Sequence, residues 1–279
     1  MWSSPNPVQG VKRRLTGVVR AGWLTDPGRS REKNEDSIFA DPRRGVFVVA
    51  DGLGGIPGGD VASRIAARRI GEALSRDEGD GTPEERVRTA IARAGDAIRL
   101  HASSDPGVTG MATTVVLVLV PESGPYLVAH VGDSRAYLLR DGRMEALTRD
   151  HSVIQELLDA GRISVEVARH HPQRHVITRS LGHAGSAVPE LRFVGRRPGD
   201  RILLCSDGLT TMLGDPEIES ILVRYTEPMQ CCRELVQRAN TRGGLDNISV
   251  VVIDEPPGPE SGRFKRAGPI AHRFHRQPF

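Results

Sequence analysis

Hydrophobic positions divide the chain into strand-like runs that are interrupted by helical segments in pairs. Short apolar, β-branched runs predict strands over 15–24, 37–40, 46–51, 112–120, 126–131, 136–140, 143–147, 191–194, 201–205 and 248–253. Apolar residues at helical spacing predict helices over 61–74, 82–105, 152–160, 215–223 and 228–240. This order is not the strict strand–helix alternation of a parallel sheet, so we expect an α+β fold with antiparallel strands.

Capping and turn signals define several of these boundaries. The segment Thr82-Pro83-Glu84-Glu85 is a capping box with proline at the first helical position. Asp141-Gly142 lies between two strand-like runs and predicts a type I′ hairpin, so we interpret Asp141 as a turn residue. The segment 161–175 lacks periodicity, and we expect an irregular surface loop there; it starts at Gly161 and contains His170, His171 and His175.

Composition narrows the class of protein. The 279 residues suit one large domain or two small ones, and 38% hydrophobic residues suffice for a packed core. The net charge is only +3 and aromatic residues make up 4%, which argues against a nucleic-acid-binding surface. Residues 1–14 are polar and basic and are expected to form a flexible lead. The Pro-rich, basic residues 255–279 predict a disordered tail.

The cysteines and the apolar runs bear on location. Cys205, Cys231 and Cys232 form no disulfide framework, which favours a reducing cytoplasm. Cys205 lies within an apolar run, so we interpret it as a core residue and not a nucleophile. No apolar run approaches the ~18 residues of a membrane span, and no signal peptide is visible.

Carboxylates recur where predicted strands begin or end. One Asp-Gly is usually a turn, but here the pattern recurs in one domain and suggests a single acidic cluster at Asp36, Asp51, Asp133, Asp207 and Asp246. Two charges ~4 Å apart repel by about 4 kcal/mol at an effective dielectric near 20. Either cations neutralise the cluster or some carboxylates stay protonated. Oxygen ligands would favour Mg²⁺ or Mn²⁺ over zinc.

The ordered motifs carry a resemblance to a known family. They are Arg31 with Glu35 and Asp36, Asp51-Gly52-Leu53-Gly54-Gly55, Gly132-Asp133-Ser134-Arg135, Ser206-Asp207-Gly208 and Gly244-Leu245-Asp246-Asn247, with supporting segments at 110–114, 147–152 and 178–182. In this order they resemble the metal-dependent protein phosphatases, the PPM or type 2C serine/threonine family, in its bacterial branch. The resemblance runs from about residue 15 to 253. It implies a four-layer α-β-β-α sandwich as the catalytic domain, 15–254.

The resemblance also implies roles for the motif residues. Asp51 would bridge two Mn²⁺ or Mg²⁺ ions, with the Gly52 carbonyl, Asp207 and Asp246 at the first ion and Glu35 and Asp36 at the second. Asp133, with Asp207, would bind a weaker third ion. Arg31 would hold the substrate phosphate. Asn247 would be a second residue of the phosphate- and substrate-binding site, where it would orient the loop or a water. The segment 161–175, with Gly161, His170, His171 and His175, would be the flap beside the cleft.

The implied reaction is hydrolysis of phosphoserine and phosphothreonine by a metal-bridging hydroxide. The implied partners are phosphorylated proteins, namely a Ser/Thr kinase or its substrates, and the chain is expected to be a monomer. Many eukaryotic relatives carry a histidine where this chain has Leu53, which cannot donate a proton. Two alternatives stay open: a phosphatase-fold regulatory module without turnover, and a hydrolase of small phosphate esters.

Overall fold

The computed structural model describes residues 19–55, 57–76, 81–169, 171–183 and 188–256. The predicted lead at 1–14 and all but the first two residues of the predicted tail lie outside this part of the chain, as does His170. The predictions of a flexible lead and a disordered tail therefore remain predictions.

The described residues include ten strands and seven α-helices. The strands are β1 (Arg20–Asp26), β2 (Asp36–Asp41), β3 (Val46–Asp51), β4 (Val115–Leu119), β5 (Tyr126–Val131), β6 (Arg135–Arg140), β7 (Arg143–Ala146), β8 (Glu190–Val194), β9 (Arg201–Cys205) and β10 (Ile248–Asp254). The helices are α1 (Gly59–Leu74), α2 (Pro83–Ser104), α3 (Val153–Asp159), α4 (Val165–Arg169), α5 (Asp207–Met212), α6 (Asp215–Arg224) and α7 (Pro228–Thr241).

The strands form two antiparallel sheets of five. One sheet has the order β1-β10-β9-β6-β7, and the other has the order β2-β3-β4-β5-β8. Successive side chains of a strand point to opposite faces. On β3, Val46 and Val48 therefore pack toward α1 and α2, while Phe47 and Val49 pack toward the other sheet. A third apolar layer lies between the first sheet and α6 and α7. The predicted α-β-β-α sandwich is confirmed.

The local signals act as the sequence predicts. Thr82 Oγ1 accepts from the Glu85 N–H at 3.3 Å, and the Glu85 carboxylate accepts from the Thr82 N–H at 2.7 Å, which closes the capping box. Asp141 and Gly142 have φ angles of 53° and 76°, as a type I′ turn requires. The prediction that Asp141 is a turn residue is confirmed.

Two short helices differ from the sequence expectation. Helix α4 lies inside the segment 161–175, which we expected to be irregular, and the Ser164 hydroxyl caps it at 3.4 Å from the Val167 nitrogen. Helix α5 follows directly on β9 and was not expected. Both span fewer than two turns, too few residues for helical periodicity to emerge. None of the described helices has the length and apolar character needed to cross a membrane.

Helix α2 offers a matched pair of substitutions that tests the packing of the outer layer. Ile91 is fully buried against the sheet, whereas Leu100 on the same helix is 72% exposed. We expect Ile91→Ala to lower the free energy of unfolding by about 2–5 kcal/mol, because it removes buried methyl groups and leaves a cavity. Leu100→Ala should change it by less than about 0.5 kcal/mol. Urea unfolding measures both, and equal losses would contradict the layer assignment.

Candidate active site

The carboxylates predicted from the sequence gather around Asp51. Asp36 begins β2 and Asp51 ends β3, and these two residues are direct cross-strand partners. Burial first, and then the charges of Asp36, Asp207, Asp133 and Asp246, raise the pKa of Asp51 well above its usual range. Carboxylates from both sheets therefore act on one central side chain, as a single acidic cluster requires.

Two threonines hold the backbone of Asp51. The Asp51 carbonyl accepts from the Thr114 N–H and from the Thr113 hydroxyl, both at 2.8 Å. The Asp51 N–H donates to Thr114 Oγ1 at 3.2 Å. Thr113 and Thr114 belong to a motif that supports the family resemblance, but the sequence alone did not indicate this role. They fix the direction in which β3 delivers its carboxylate.

Glycines allow the loop after Asp51 to approach its neighbours. A Cβ on Gly52 would lie 2.3 Å from the Gly59 carbonyl oxygen, and the Gly52 N–H donates to the Glu35 carbonyl at 3.1 Å. A Cβ on Gly54 would lie 3.0 Å from an Arg31 guanidinium nitrogen. The small residues therefore bring the backbone beside Glu35 and leave room for the Arg31 side chain.

Asp36 is the most deeply buried carboxylate of the cluster. Its Oδ2 accepts from the Ser206 hydroxyl at 2.8 Å, and Ser206 Oγ also accepts from the Ser249 N–H at 2.9 Å. Its Oδ1 is buried and makes no hydrogen bond within the described residues. Burial raises the pKa of Asp36 to about 7 despite the serine contacts. A buried oxygen without a donor is one that a cation would satisfy.

Asp207 begins helix α5 directly after β9, and Asp133 lies in the turn between β5 and β6. Burial and then the Asp246 charge raise the pKa of Asp207, whereas a hydrogen bond with Asp51 and the nearby His175 lower it. Burial and then the charge of Asp207 raise the pKa of Asp133 well above its usual range. Burial is also the main cause of the raised pKa of Glu35.

Among the described flap residues, His175 lies near enough to Asp207 to lower the pKa of that carboxyl group. Gly161 and His171 make local turn contacts. The Gly161 N–H donates to the Leu158 carbonyl at 3.0 Å, and His171 Nδ1 accepts from the Gln173 N–H at 3.2 Å. The structure thus brings one of the predicted flap residues toward the carboxylates and leaves Gly161 and His171 in the surface turns.

Arg31 lies at the rim of the cluster and pairs with Asp246. Its guanidinium donates to Asp246 Oδ2 at 2.8 Å, and the Asp246 Oδ1 accepts from the Asn247 N–H at 2.9 Å. The side chains of Arg31 and Asp246 are 42% and 34% exposed. A positive group that is partly open to solvent beside an acidic cluster can bind an anion such as a phosphate.

Asn247 holds the loop that carries Arg31 and Glu35. Its Oδ1 accepts from the Glu35 N–H at 2.8 Å, and its amide donates to the carbonyls of Pro27 and Lys33 at 3.0 and 2.9 Å. The side chain is buried. These contacts fit the orienting part of its predicted role, and direct contact with substrate stays a prediction.

The donor set fits hard divalent cations. The side chains of the cluster offer carboxylate oxygens, and burial together with neighbouring negative charges raises the pKa values of Asp36, Asp51 and Asp133. The oxygens are spread: among the described residues, only His130, His151 and Glu190 bring three ligand atoms within 4.8 Å of one another.

Comparison with known proteins agrees with the family resemblance of the sequence motifs. Residues 28–243 match the family model of protein phosphatase 2C. The serine/threonine phosphatase stp of Listeria innocua is 37% identical over 242 residues, which cover 85% of this chain and 96% of that protein.

Solved structures agree with the fold. The crystal structure of the serine/threonine phosphatase PstP/Ppp of Mycobacterium tuberculosis has a TM-score of 0.78 at 36% identity and covers 86% of this chain and 99% of its own. The crystal structure of the catalytic domain of PstP in complex with two manganese ions has a TM-score of 0.76 at 34% identity. The match covers 86% of this chain and 100% of that one.

The raised pKa of Asp36 predicts a pH dependence of stability in the presence of a chelator. An aspartate in an unfolded chain has a pKa of ~3.9, so between about pH 4 and about pH 7 the folded state holds a proton that the unfolded chain has lost. The free energy of unfolding contributed by Asp36 therefore falls as the pH rises through this window. Urea unfolding should show this fall in the wild type relative to Asp36→Asn. A difference that is flat or rises with pH would contradict it.

Proposed function

The chain belongs to the protein phosphatase 2C family, and from this premise we propose that the cluster around Asp51 is its catalytic centre. The activity is that of a serine/threonine protein phosphatase, a hydrolase of phosphoserine and phosphothreonine in proteins. The observation that supports the location is the convergence of Asp36, Asp133, Asp207 and Asp246 on Asp51.

The cluster has the oxygen donors for two divalent cations, as in the manganese complex of PstP. In this proposal, Asp51 would serve both ions, the Gly52 carbonyl, Asp207 and Asp246 would hold the first, and Glu35 and Asp36 would hold the second. Asp133 and Asp207 would hold a weaker third ion. Either Mn²⁺ or Mg²⁺ suits such a donor set.

When bound, the cations supply a water molecule of lowered pKa and positive charge for the phosphate oxygens. Arg31 binds the phosphate, and to do so its guanidinium exchanges the Asp246 carboxylate for the substrate. Leu53 has no proton to give to the departing serine or threonine oxygen. A cysteinyl-phosphate route is excluded for Cys205, because it is buried and burial raises the pKa of its thiol to about 12.

Partners and location follow from the activity and from the rest of the chain. Phosphorylated proteins are the substrates, and we propose a Ser/Thr kinase or its targets among them. The flap carries the exposed Val165 and Val167 and is a candidate for substrate choice. The three buried, unpaired cysteines favour a reducing compartment such as the cytoplasm. A monomer is the expected state.

Two alternative functions can be distinguished from protein phosphatase activity. A regulatory module without turnover would be expected to lack some of the metal carboxylates, yet all of the expected positions carry them. A hydrolase of small phosphate esters would use the same centre. Competition between a phosphothreonine peptide and p-nitrophenyl phosphate distinguishes it, because a protein phosphatase should favour the peptide in kcat/KM.

Asp207→Asn tests the proposed centre. We expect kcat on a phosphothreonine peptide to fall by at least about a hundredfold, because the variant removes a charged ligand from the proposed first and third ion sites. Asp141→Asn is the matched control, since Asp141 lies in an exposed hairpin turn whose positive φ asparagine also tolerates. Full activity of Asp207→Asn would place the centre elsewhere.

Arg31→Ala tests the proposed phosphate contact. Losing a charge-assisted hydrogen bond should raise KM for the peptide about tenfold or more. Mn²⁺ affinity, measured by calorimetry without substrate, should change little. If Mn²⁺ affinity and KM deteriorated together, Arg31 would be supporting the ion site and not the phosphate.

A further inference from the structure

The turn that carries Asp133 needs support from outside itself. Gly132 has a φ of +106°, which L side chains rarely adopt, and a Cβ there would lie 2.7 Å from the Thr114 side chain. Residues 132–134 link the end of β5 to the start of β6 without regular pairing of their own. Their conformation therefore depends on the neighbours that bind their polar groups.

His151 binds both polar groups of the Gly132 backbone. The Gly132 N–H donates to His151 Nδ1 at 3.1 Å, and the His151 N–H donates to the Gly132 carbonyl at 2.9 Å. His151 is 6% exposed. The backbone on the N-terminal side of Asp133 is thus held at two points by one buried residue.

The preceding residue, Asp150, holds the other end of the turn. Its two carboxylate oxygens accept from Arg135 Nε and Nη2 at 2.8 and 2.7 Å. Between the two ends, the hydroxyls of Ser134 and Thr114 are hydrogen-bonded at 2.7 Å. Gly132, Ser134 and Arg135 are therefore each tied to a neighbouring residue by a polar contact.

We propose that Asp150 and His151 are positioning residues for Asp133, and that His151 acts as the Nε2–H tautomer whose Nδ1 fixes the Gly132 N–H. The assignment of Asp133 to a weak ion site is part of the proposed function. This inference rests on that assignment and deepens it. Neither residue touches substrate; both act through the turn.

The tautomer follows from the donors around the ring. A backbone N–H can only donate, so Nδ1 must accept from Gly132 and the ring proton must lie on Nε2. Nε2 then donates to Glu190 Oε2 at 3.2 Å. Arg179 Nη1, 3.3 Å from Nε2, makes no hydrogen bond to it in this tautomer. Burial and the neighbouring His130 lower the pKa of His151 to about 4, which keeps the ring neutral.

The same hydrogen bonds argue against a metal ion among His130, His151 and Glu190. His130 Nε2 lies 2.7 Å from the Arg149 carbonyl and donates to it, and the His151 Nδ1 lone pair is used by Gly132. The two rings stack at 4.4 Å with an interplanar angle of 19°. A neutral imidazole that binds a cation through Nε2 carries its proton on Nδ1. The His151 Nδ1 could then no longer accept the hydrogen bond from the Gly132 N–H. The stack instead holds the plane of the His151 ring.

A long-range ¹H–¹⁵N spectrum of ¹⁵N-histidine-labelled protein tests the tautomer directly. Its signals are assigned by comparison with His151→Asn. We expect the His151 cross-peak pattern of the Nε2–H form at pH 7. The Nδ1–H form, or a charged ring, would overturn the inference. This result does not depend on turnover, so absence of phosphatase activity would contradict the proposed function alone.

A pair of substitutions separates positioning from packing. Asparagine can present its Oδ1 to the Gly132 N–H in place of Nδ1, whereas leucine fills similar space without an acceptor. We expect His151→Leu to weaken by about tenfold the low-affinity Mn²⁺ binding that Asp133→Asn removes, measured by calorimetry, with tight Mn²⁺ binding retained. His151→Asn should restore most of the loss. His101→Leu, at an exposed position of α2, is the control.

Four outcomes would overturn the positioning role. His151→Leu could bind the weak ion as the wild type does, or His151→Asn could fail to restore binding although its spectrum shows a folded protein. Asp133→Asn could also leave low-affinity binding unchanged, which would remove the site that His151 is proposed to support. Loss of tight Mn²⁺ binding in His151→Leu would point to general damage and contradict the inference as well.

Discussion

Mutual repulsion among buried carboxylates is the constraint on which the rest of this structure depends. Burial and neighbouring negative charges raise the pKa of Asp36, Asp51, Asp133 and Asp207. Bringing these carboxylates together costs free energy, so a larger favourable contribution to folding must offset that cost. The apolar layer between the two sheets, which includes the fully buried Phe47 and Val49, provides that contribution by burying surface along the length of the strands.

Neutral polar groups then set the position of each carboxylate without cancelling its charge. Thr114 bonds to the backbone of Asp51 and to the hydroxyl of Ser134, and so links the end of β3 to the turn between β5 and β6. Ser206 bonds to Asp36 across the two sheets, and Asn247 anchors the loop of Arg31 and Glu35. Because these groups are uncharged, they do not neutralise the carboxylates. The cluster can therefore bind the divalent cations that the proposed hydrolysis of phosphate esters uses.

The sequence predicted the elements better than the contacts between them. The bounds of β3 and β5 agree with prediction because each is a continuous apolar run that ends at a carboxylate or a glycine. Helix α5 was missed because its six residues cannot show helical periodicity. The Arg31–Asp246 ion pair joins residues 215 positions apart, and the contact of Asn247 with the Glu35 backbone spans 212. No local pattern contains such information, and only the family resemblance placed Arg31, Glu35 and Asn247 beside the acidic cluster.

The most direct test of the account is the number of Mn²⁺ ions that the protein binds tightly, with and without Asp51. Calorimetric titration of the wild type, coupled to phosphate release from a phosphothreonine peptide, should give two tight ions and Mn²⁺-dependent turnover. Asp51→Asn should lose at least one tight ion and nearly all turnover, because Asp51 is the proposed shared ligand. Two tight ions with full turnover in Asp51→Asn would contradict the central role of this carboxylate.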